Sequence, residues 1–351
     1  MKLTAGEIYF IRETDKLTKT ESSYIKIGLI REGEDRTSED RALEHQTGNP
    51  RELHVFKKVQ THAVSEVENI LHHFYANSRV SGEWFNLTPD LLTEAIGKAR
   101  ELAATATKNI KALERAEALK LTVSTEDVIL PTESIKKWHS QVLGANVQIK
   151  RCDELSKLMI EVAVAAADRE EEVSHIVTVQ GRRPSERFDS DAFKLKYPSI
   201  WAEFQKSKDS IKQRFTISGA KEFTLEVKDL NPELFELGVK FEELVKKVNE
   251  KNASIEELHR EKLKLLGIKA ALEWDKEIAE ANLKSSCNTA KEIEGICKWA
   301  RLLETKISLD EKSLRAAHAE KVQEFVTLVD VAPAIIIEPR RGYANEAESN
   351  E

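Results

Sequence analysis

Residues 6–11, GEIYFI, and residues 24–29, YIKIGL, decide the fold of the N-terminal region. Both stretches are rich in β-branched and aromatic residues and alternate in the way that is typical of short β-strands. The connection between them is charged and rich in threonine. We therefore predict that the two stretches form a β-hairpin with an enlarged loop.

The residues that follow this hairpin have the patterns of a small mixed domain. Apolar side chains at helical spacing alternate with short runs that are typical of strands, and Gly and Pro separate them. The predicted elements are a helix at 38–47 capped by Ser38, a strand at 53–59, a helix at 63–77, a strand at 83–87, and a helix that starts at Thr88-Pro89 and runs to Leu121. The order β-β-α-β-α-β-α predicts an α+β fold that ends near residue 100.

Changes in composition divide the rest of the chain. The predicted divisions are a mixed domain at 1–100, a linker helix with a mixed α/β region at 101–225, a helical region at 226–330 and a flexible tail at 331–351. Within 101–225 the predicted elements are strands at 127–130, 146–149 and 175–179, a helix at 153–172 and a helix-rich element at 193–215. We therefore expect helix to predominate after the first domain.

A heptad-like pattern begins after Asn231-Pro232. Intervals of three and four positions separate the apolar residues Leu234, Leu237, Phe241, Leu244 and Val248. Helical spacing resumes at 272–283, 293–303 and 314–329, with Gly267 and Gly295 as places to bend. Because such a seam is too apolar to leave in water, we predict a helical hairpin or antiparallel coiled coil, or self-association.

Charge and cysteine usage limit the class of protein. The chain has 351 residues and a net charge of -7, so contact with a polyanion requires a local basic surface. The first hundred residues hold 14 Lys and Arg against 16 Asp and Glu. Three cysteines without a CxxC pair predict a reducing compartment, and the N-terminus lacks the apolar run of a signal peptide. We expect a cytoplasmic protein without a membrane span.

Five short motifs follow one another in the N-terminal region. They are Ile8-Tyr9, Lys26-Ile27-Gly28, RALEH at 41–45, ENILHHF at 68–74 and GEWF at 82–85. In this order they resemble the GIY-YIG endonuclease superfamily, in particular its phage and bacterial branch in which KIG stands in place of YIG. The resemblance covers about residues 6–90. It implies a metal-dependent endonuclease with a role in phage biology, defence or mobile-element maintenance.

The resemblance also implies roles for individual residues. Tyr9 would orient or deprotonate the attacking water, Arg41 would clamp the phosphate oxygens, and His45 would act as acid or base. Glu68 is the expected ligand of Mg²⁺ or Mn²⁺, because one carboxylate can hold a hard cation that keeps its other waters. We expect Glu68 on an exposed helix face. We predict that these four side chains converge on one concave surface.

The second strand departs from the family pattern, because Lys26 stands where the second tyrosine is expected. Either Tyr24, two residues earlier on the same face, substitutes for that tyrosine, or Lys26 contacts the phosphate directly. By the same resemblance Gly28 and Asn86 are assigned to substrate binding.

The most basic turn of the chain lies outside this region. Arg182 and Arg183 could contact a DNA backbone, and a solvated loop explains them equally well. We include both arginines among the candidate substrate-binding residues.

A second function from a different class stays open. It is a non-cleaving nucleic-acid-binding or assembly protein with the same fold and an oligomerising helical region. The acidic net charge and the missing second tyrosine favour it, whereas the joint presence of Tyr9, Arg41, His45 and Glu68 favours the nuclease. We find no P-loop, nucleophile elbow or zinc spacing in the sequence. We expect duplex DNA as the substrate and a homodimer as the assembly, since two joined sites could address both strands.

One further histidine needs an interpretation. His72 lies four positions after Glu68, a spacing that could form a metal-binding pair on one helix face. A partly buried histidine bonded to a backbone carbonyl is the more frequent case, and we prefer that interpretation.

Overall fold

The computed structural model describes residues 3–168, 176–250, 254–332 and 334–337. The strands are β1 (Gly6–Thr14), β2 (Glu21–Arg31), β3 (Glu52–Thr61), β4 (Arg79–Ser81), β5 (Trp84–Asn86), β6 (Val128–Ile129), β7 (Val177–Gln180), β8 (Ser185–Phe188), β9 (Gln205–Ile217), β10 (Glu292–Ile293), β11 (Cys297–Leu309), β12 (Val326–Val329) and β13 (Ala334–Ile337). The helices are α1 (Ser38–Gln46), α2 (Val64–Phe74), α3 (Pro89–Leu119), α4 (Glu133–Asp168), α5 (Ser190–Lys196), α6 (Pro198–Glu203), α7 (Pro232–Asn249), α8 (Ile255–Cys287), α9 (Glu311–Ala317) and α10 (Ala319–Gln323). The α+β class is confirmed.

The N-terminal region is a five-stranded antiparallel sheet with the order β3-β1-β2-β5-β4. The predicted hairpin of β1 and β2 and the predicted order of elements are confirmed, with β4 as an additional short strand. Thr37, and not Ser38, caps α1, because Thr37 forms a reciprocal capping box with Asp40. Thr88 caps α3, and Pro89 occupies its first turn, as predicted.

Side-chain alternation along β1 gives this sheet two different faces. Ile8 and Phe10 belong to the main hydrophobic core, which α2 and α3 complete. Tyr9 and Ile11 point to the other face, where a smaller apolar cluster includes Ala42 of α1. Because α1 is short, this second face retains room for polar groups.

Three long helices, α4, α7 and α8, form a second core. The seam of α7 is buried in it, where Leu237 and Phe241 lie in one cluster with Leu155 and Met159 of α4 and Leu258 of α8. The partner surface for this seam is therefore supplied by the chain itself. The antiparallel coiled coil is not confirmed, since α8 makes its more extensive contact with α4.

Two predictions for the middle region are corrected by α4. The strand predicted at 146–149 is wrong, because these residues lie inside the helix. A short apolar run in a buried helix has no signature that distinguishes it from a strand. The helix predicted at 153–172 starts earlier, at Glu133, and residues 169–172 lie outside the described residues.

Helix α8 joins the second core to the N-terminal sheet. Ala270, Trp274 and Ile278 pack in the same cluster as the sheet and α3. Gly267, where we predicted a bend, lies inside the continuous helix. A Cβ there would be 2.9 Å from the Cα of Phe74, so glycine permits the close approach of α8 to α2.

The predicted helix at 293–303 is wrong, because these residues belong mainly to β10 and β11. β11 pairs with β9 over 13 residue pairs, in a sheet with the order β6-β10-β11-β9. The helix-rich element predicted at 193–215 is interrupted for the same reason, since α6 ends at Glu203 and β9 follows. The strand predicted at 127–130 is confirmed as β6.

At the end of the β9–β11 ribbon, two segments repeat one pattern. β8, α5 and α6 lead into β9, while β11 leads into α9, α10 and β12. Asp189 caps α5 and Asp310 caps α9. The amide of Asp189 donates to the carbonyl oxygen of Phe325 at 2.9 Å, and that of Asp310 donates to Phe204 at 2.8 Å. The reciprocal bonds give this helical module, residues 185–204 and 310–329, an internal two-fold relation.

The two short ribbons next to this module pair β8 with β12 and β7 with β13. β7 largely agrees with the strand predicted at 175–179, although His175 lies outside the described residues. The tail from residue 338 also lies outside them. Within the described ranges, every helix falls short of the length and apolar character that a membrane crossing requires.

Candidate active site

Tyr9 lies in the middle of β1, almost completely buried on the face that α1 covers. Gly28 stands opposite in β2, and a Cβ there would be 2.5 Å from the Tyr9 hydroxyl oxygen. The Arg41 guanidinium on α1 is paired with Glu44 and is also close enough to this hydroxyl to affect its pKa. Burial raises the pKa of Tyr9 above its ordinary value although Arg41 acts to lower it. The phenol therefore keeps its proton at neutral pH.

An ion pair between Lys26 and Glu83 lies beside this tyrosine. Lys26 is buried on β2, two positions before Gly28 and therefore on the same face, and Glu83 precedes β5. The Lys26 ammonium donates to the Glu83 carboxylate. Burial acts to raise the pKa of Glu83, but the positive charge of Lys26, with a smaller effect from Arg41, brings it below its ordinary value. Glu83 is thus a carboxylate at neutral pH.

Glu68 approaches the same place from α2. His72 follows one helical turn later, and its Nε2 lies 2.9 Å from the carbonyl oxygen of Ile27. Ile27 lies in β2 just beyond the residues that pair with β5. Glu68 is partly buried, and so the predicted exposed helix face is wrong. Burial, followed by the negative charge of Glu83, raises the pKa of Glu68 to about 7. Near neutral pH the Glu68 side chain therefore exchanges between its protonated and its ionised form.

The preferred interpretation of His72 agrees with these contacts. The ring bonds a backbone carbonyl and packs against Phe85. Burial lowers the pKa of His72 to about 4, so the ring is neutral at physiological pH. We assign His72 a positioning role for α2 at the edge of β2.

His45 follows Arg41 by one turn of α1. Its Nε2 is buried and has no hydrogen-bond partner in the described part of the chain. Burial, and then the positive charges of Lys26 and Arg41, lower the pKa of His45, so the imidazole is neutral at neutral pH. The ring lines a groove of about 290 Å³ together with Tyr24 and Trp84.

The structure therefore brings the predicted catalytic residues together, at the α1 face of the sheet and the adjoining edge of β2. Their proximity is seen in the electrostatics: Arg41 acts to lower the pKa of Tyr9, Glu83 and Glu68 act to raise it, and Glu83 also raises the pKa of Glu68. Asn86 stands opposite Tyr24 in the β2–β5 pair, at the outer end of this group.

Arg182 and Arg183 are not brought to this site. Both are exposed in the loop between β7 and β8, next to the helical module rather than the N-terminal sheet. The sequence places them in a basic turn, and the structure agrees with that part of the prediction.

Two charged residues of the site were missed from the sequence. Glu83 pairs with Lys26 and raises the pKa of Glu68, and Arg31 acts to lower that pKa. Glu83 lies inside the quoted GEWF motif, so its position next to a conspicuous motif was an available signal. Arg31 carries no such signal, because an arginine at a strand end is an ordinary surface residue.

Glu68 and Glu83 are the side chains of this site that could hold a cation. Among the described residues, no three His, Cys, Asp or Glu side chains lie close enough together to hold a metal ion. Magnesium needs only one or two carboxylates, with water or phosphate oxygens as its other ligands. The partly buried Glu68, with Glu83 near it, fits that requirement because a cation would relieve their mutual repulsion.

The fold and the site together define a small α+β domain whose polar residues converge at one sheet edge. Residues 6–100 match the family model of the T5orf172 domain, a phage-associated domain that occurs in a nuclease context. The GIY-YIG family model itself is not matched. No curated protein and no solved structure matches the chain.

Proposed function

We propose that the protein is a metal-dependent endonuclease that hydrolyses phosphodiester bonds in DNA, with a GIY-YIG-type site in which KIG replaces YIG. The observation that carries this proposal is the position of Glu68. It is a partly buried carboxylate with a raised pKa, close to Tyr9 and Glu83, and Arg41 approaches the same tyrosine from α1. An arrangement of this kind costs folding free energy and is therefore expected at a functional site.

Glu68 would hold a Mg²⁺ or Mn²⁺ ion. When bound, such an ion supplies positive charge for the phosphate and for the oxygen that leaves. The cation would also replace the proton that Glu68 retains near neutral pH, because both compete for the same carboxylate oxygens. Glu83 would contribute a second negative charge without leaving Lys26.

Tyr9 and Arg41 would act on the phosphate and the water. Because the raised pKa keeps the phenol protonated, Tyr9 is suited to orient a water or phosphate oxygen as a donor, rather than to deprotonate water as a phenolate. The guanidinium of Arg41 has further N–H groups beyond the one that Glu44 accepts, and its planar fork suits phosphate oxygens.

His45 would supply the base. Its imidazole is neutral near pH 7, and its buried Nε2 has no partner in the described structure. A neutral ring nitrogen can accept a proton from water and return it to the leaving oxygen. Lys26 would contribute positive charge where the family has its second tyrosine, while Tyr24 lines the groove beside His45.

Supercoiled plasmid DNA tests this proposal. We expect the purified full chain to convert it to nicked or linear form with Mg²⁺ or Mn²⁺ present, and to leave it intact with a chelator. A preparation that binds DNA but produces no cleavage with either ion would instead support the non-cleaving alternative. A biological role in phage defence or mobile-element maintenance is proposed from the domain match alone.

A further inference from the structure

In the part of the chain that the structure describes, the β9–β11 ribbon packs against α3 and α8 at its base. Phe215 of β9 and Trp299 of β11 pack there with Leu119 of α3 and Leu283 of α8. From this base the two strands continue as a pair to the helical module, and most of their side chains are exposed. The ribbon therefore has a face that is directed away from the helices.

That outward face is strongly basic. Strand alternation places even-numbered residues of β9 and their partners in β11 on one side, opposite Phe215 and Trp299. The basic residues on it, all exposed, are Lys206, Lys208, Lys212, Arg214, Lys298 and Lys306. Glu304 is the one acidic residue of this face in the paired strands. Such a concentration contrasts with the net charge of -7 of the whole chain.

Folding does not account for this charge. Lys208 stands directly opposite Lys306, and like charges in that position destabilise a sheet. Three of the cations are paired, since Lys206 bonds Asp310, Lys212 bonds Glu304, and Lys298 bonds Glu292. In the described part of the chain, Lys208, Arg214 and Lys306 form no ion pair.

We infer that the basic face of the β9–β11 ribbon binds the phosphate backbone of duplex DNA. Polyanions of regular charge spacing complement a row of cations, and their binding releases counterions. A two-stranded β-ribbon also fits the major groove of B-form DNA, whereas the major groove of duplex RNA is too narrow for side chains to read. The inference rests on the proposed function, because the DNA that binds this ribbon would be the substrate that the candidate active site cleaves.

The position of the ribbon suits an anchor rather than a part of the active site. Helix α3 begins three residues after β5, beside the candidate site, and its last residue accepts a hydrogen bond from Arg301 at the ribbon base. At 31 residues, α3 is about 46 Å long. That length corresponds to roughly 13 base pairs of B-form DNA. A duplex longer than this spans the distance between the two ends of α3.

Binding without metal tests this surface separately from cleavage. We would measure the affinity of the full chain for a duplex of about 30 base pairs by fluorescence anisotropy, in chelator and at several salt concentrations. The test variant is K208Q/R214Q/K306Q. The matched control is K108Q/K111Q/K246Q, which neutralises three exposed lysines on α3 and α7. Thermal unfolding would verify that both variants fold.

The expected result is a loss of affinity of about tenfold or more at about 100 mM salt for the ribbon variant alone. For the ribbon variant, the slope of the logarithm of the association constant against the logarithm of the salt concentration should decrease in magnitude by about 2–3. Equal affinities for the two variants would overturn the inference, and equally tight binding of duplex RNA would overturn the choice of DNA. If the chain binds through the ribbon but never cuts, only the proposed nuclease function fails. If it cuts and the ribbon variant binds like the control, only this inference fails.

Discussion

At the scale of single residues, Glu68 combines two properties that a structural glutamate avoids. It is partly buried, and the largest effect of another charge on its pKa comes from the like charge of Glu83. The sequence could place Glu68 on a helix at a motif position, but burial and a neighbour fifteen positions away depend on the packing of α2 against β2. For this reason the position of Glu68 on a helix was predictable, and its environment was not.

The raised pKa of Glu68 predicts a pH-dependent cost in stability. Its pKa is about 7 in the folded chain and near 4.5 without the fold, so the folded state holds the proton more tightly. The contribution of Glu68 to the free energy of unfolding is fully present below about pH 4.5 and is lost as the pH rises through about 7. In chelator, Glu68→Gln should therefore raise the free energy of unfolding by about 2–3 kcal/mol at about pH 8 and change it little near pH 4.

Urea unfolding at both pH values measures this difference. The control is Glu66→Gln on the same helix, a residue outside the groups that shift the pKa of Glu68 or Tyr9. A Glu68→Gln variant that is less stable than the parent at about pH 8 would contradict the electrostatic account of the site.

Gly28 provides a second prediction at this scale. Gly28→Ala places a Cβ against the Tyr9 ring and should lower the free energy of unfolding by about 1–3 kcal/mol. In a Tyr9→Ala background the ring is absent, and most of this cost should disappear. A double-mutant cycle by urea unfolding measures the coupling.

The control for this cycle is Gly97→Ala, because no atom lies within 4 Å of a Cβ at that helical position. It should stabilise the protein by about 0.5–1 kcal/mol, since alanine favours a helix over glycine. If Gly28→Ala costs the same with and without the Tyr9 ring, the proposed contact does not hold the tyrosine in place.

At the scale of elements, patterning predicted the first domain better than the rest. Local signals, such as the Thr88-Pro89 helix start and the alternation of β1, agree with the packing in that domain. The region at 293–303 failed because its closely spaced apolar residues also satisfy helical spacing. Its true state depends on pairing with β9, which lies eighty or more positions earlier, and a local pattern cannot reveal such pairing.

The α7 seam was recognised as apolar, but its partner was not. The packing of Phe241 against α4 predicts that Phe241→Ala lowers the free energy of unfolding by about 3–5 kcal/mol. Phe235→Ala on the same helix is the control, because that side chain is 49% exposed and should cost little. Chemical unfolding measures both variants.

Because the seam is covered within the chain, Phe241→Ala should also leave the sedimentation coefficient of the folded protein unchanged. A dissociation caused by this substitution would show that the seam joins two copies. The homodimer itself stays a prediction, and the α7 seam no longer provides a reason for it.

At the scale of the whole molecule, α8 and α3 connect the N-terminal sheet, which carries the candidate site, with the base of the β9–β11 ribbon. α8 packs against the sheet through Ala270 and Trp274 and against α4 and α7 elsewhere. The net charge of -7 suggested weak attraction to nucleic acid, yet basic residues concentrate on one ribbon face. The net charge of the whole chain does not show such a local surface. The surface becomes visible only when the pairing of the strands is known.

The measurement that tests the central claim most directly compares DNA cleavage by the parent, Glu68→Gln and Glu66→Gln chains with Mg²⁺ at about pH 8. Glu68→Gln keeps the shape of the side chain and removes the charge that would hold the cation. We predict that it lowers the cleavage rate by a factor of about 100 or more while its affinity for DNA in chelator stays within about twofold of the parent. Glu66→Gln should cleave at the parental rate. A Glu68→Gln chain that cleaves as fast as the parent would contradict the account, because the nuclease function depends on that carboxylate.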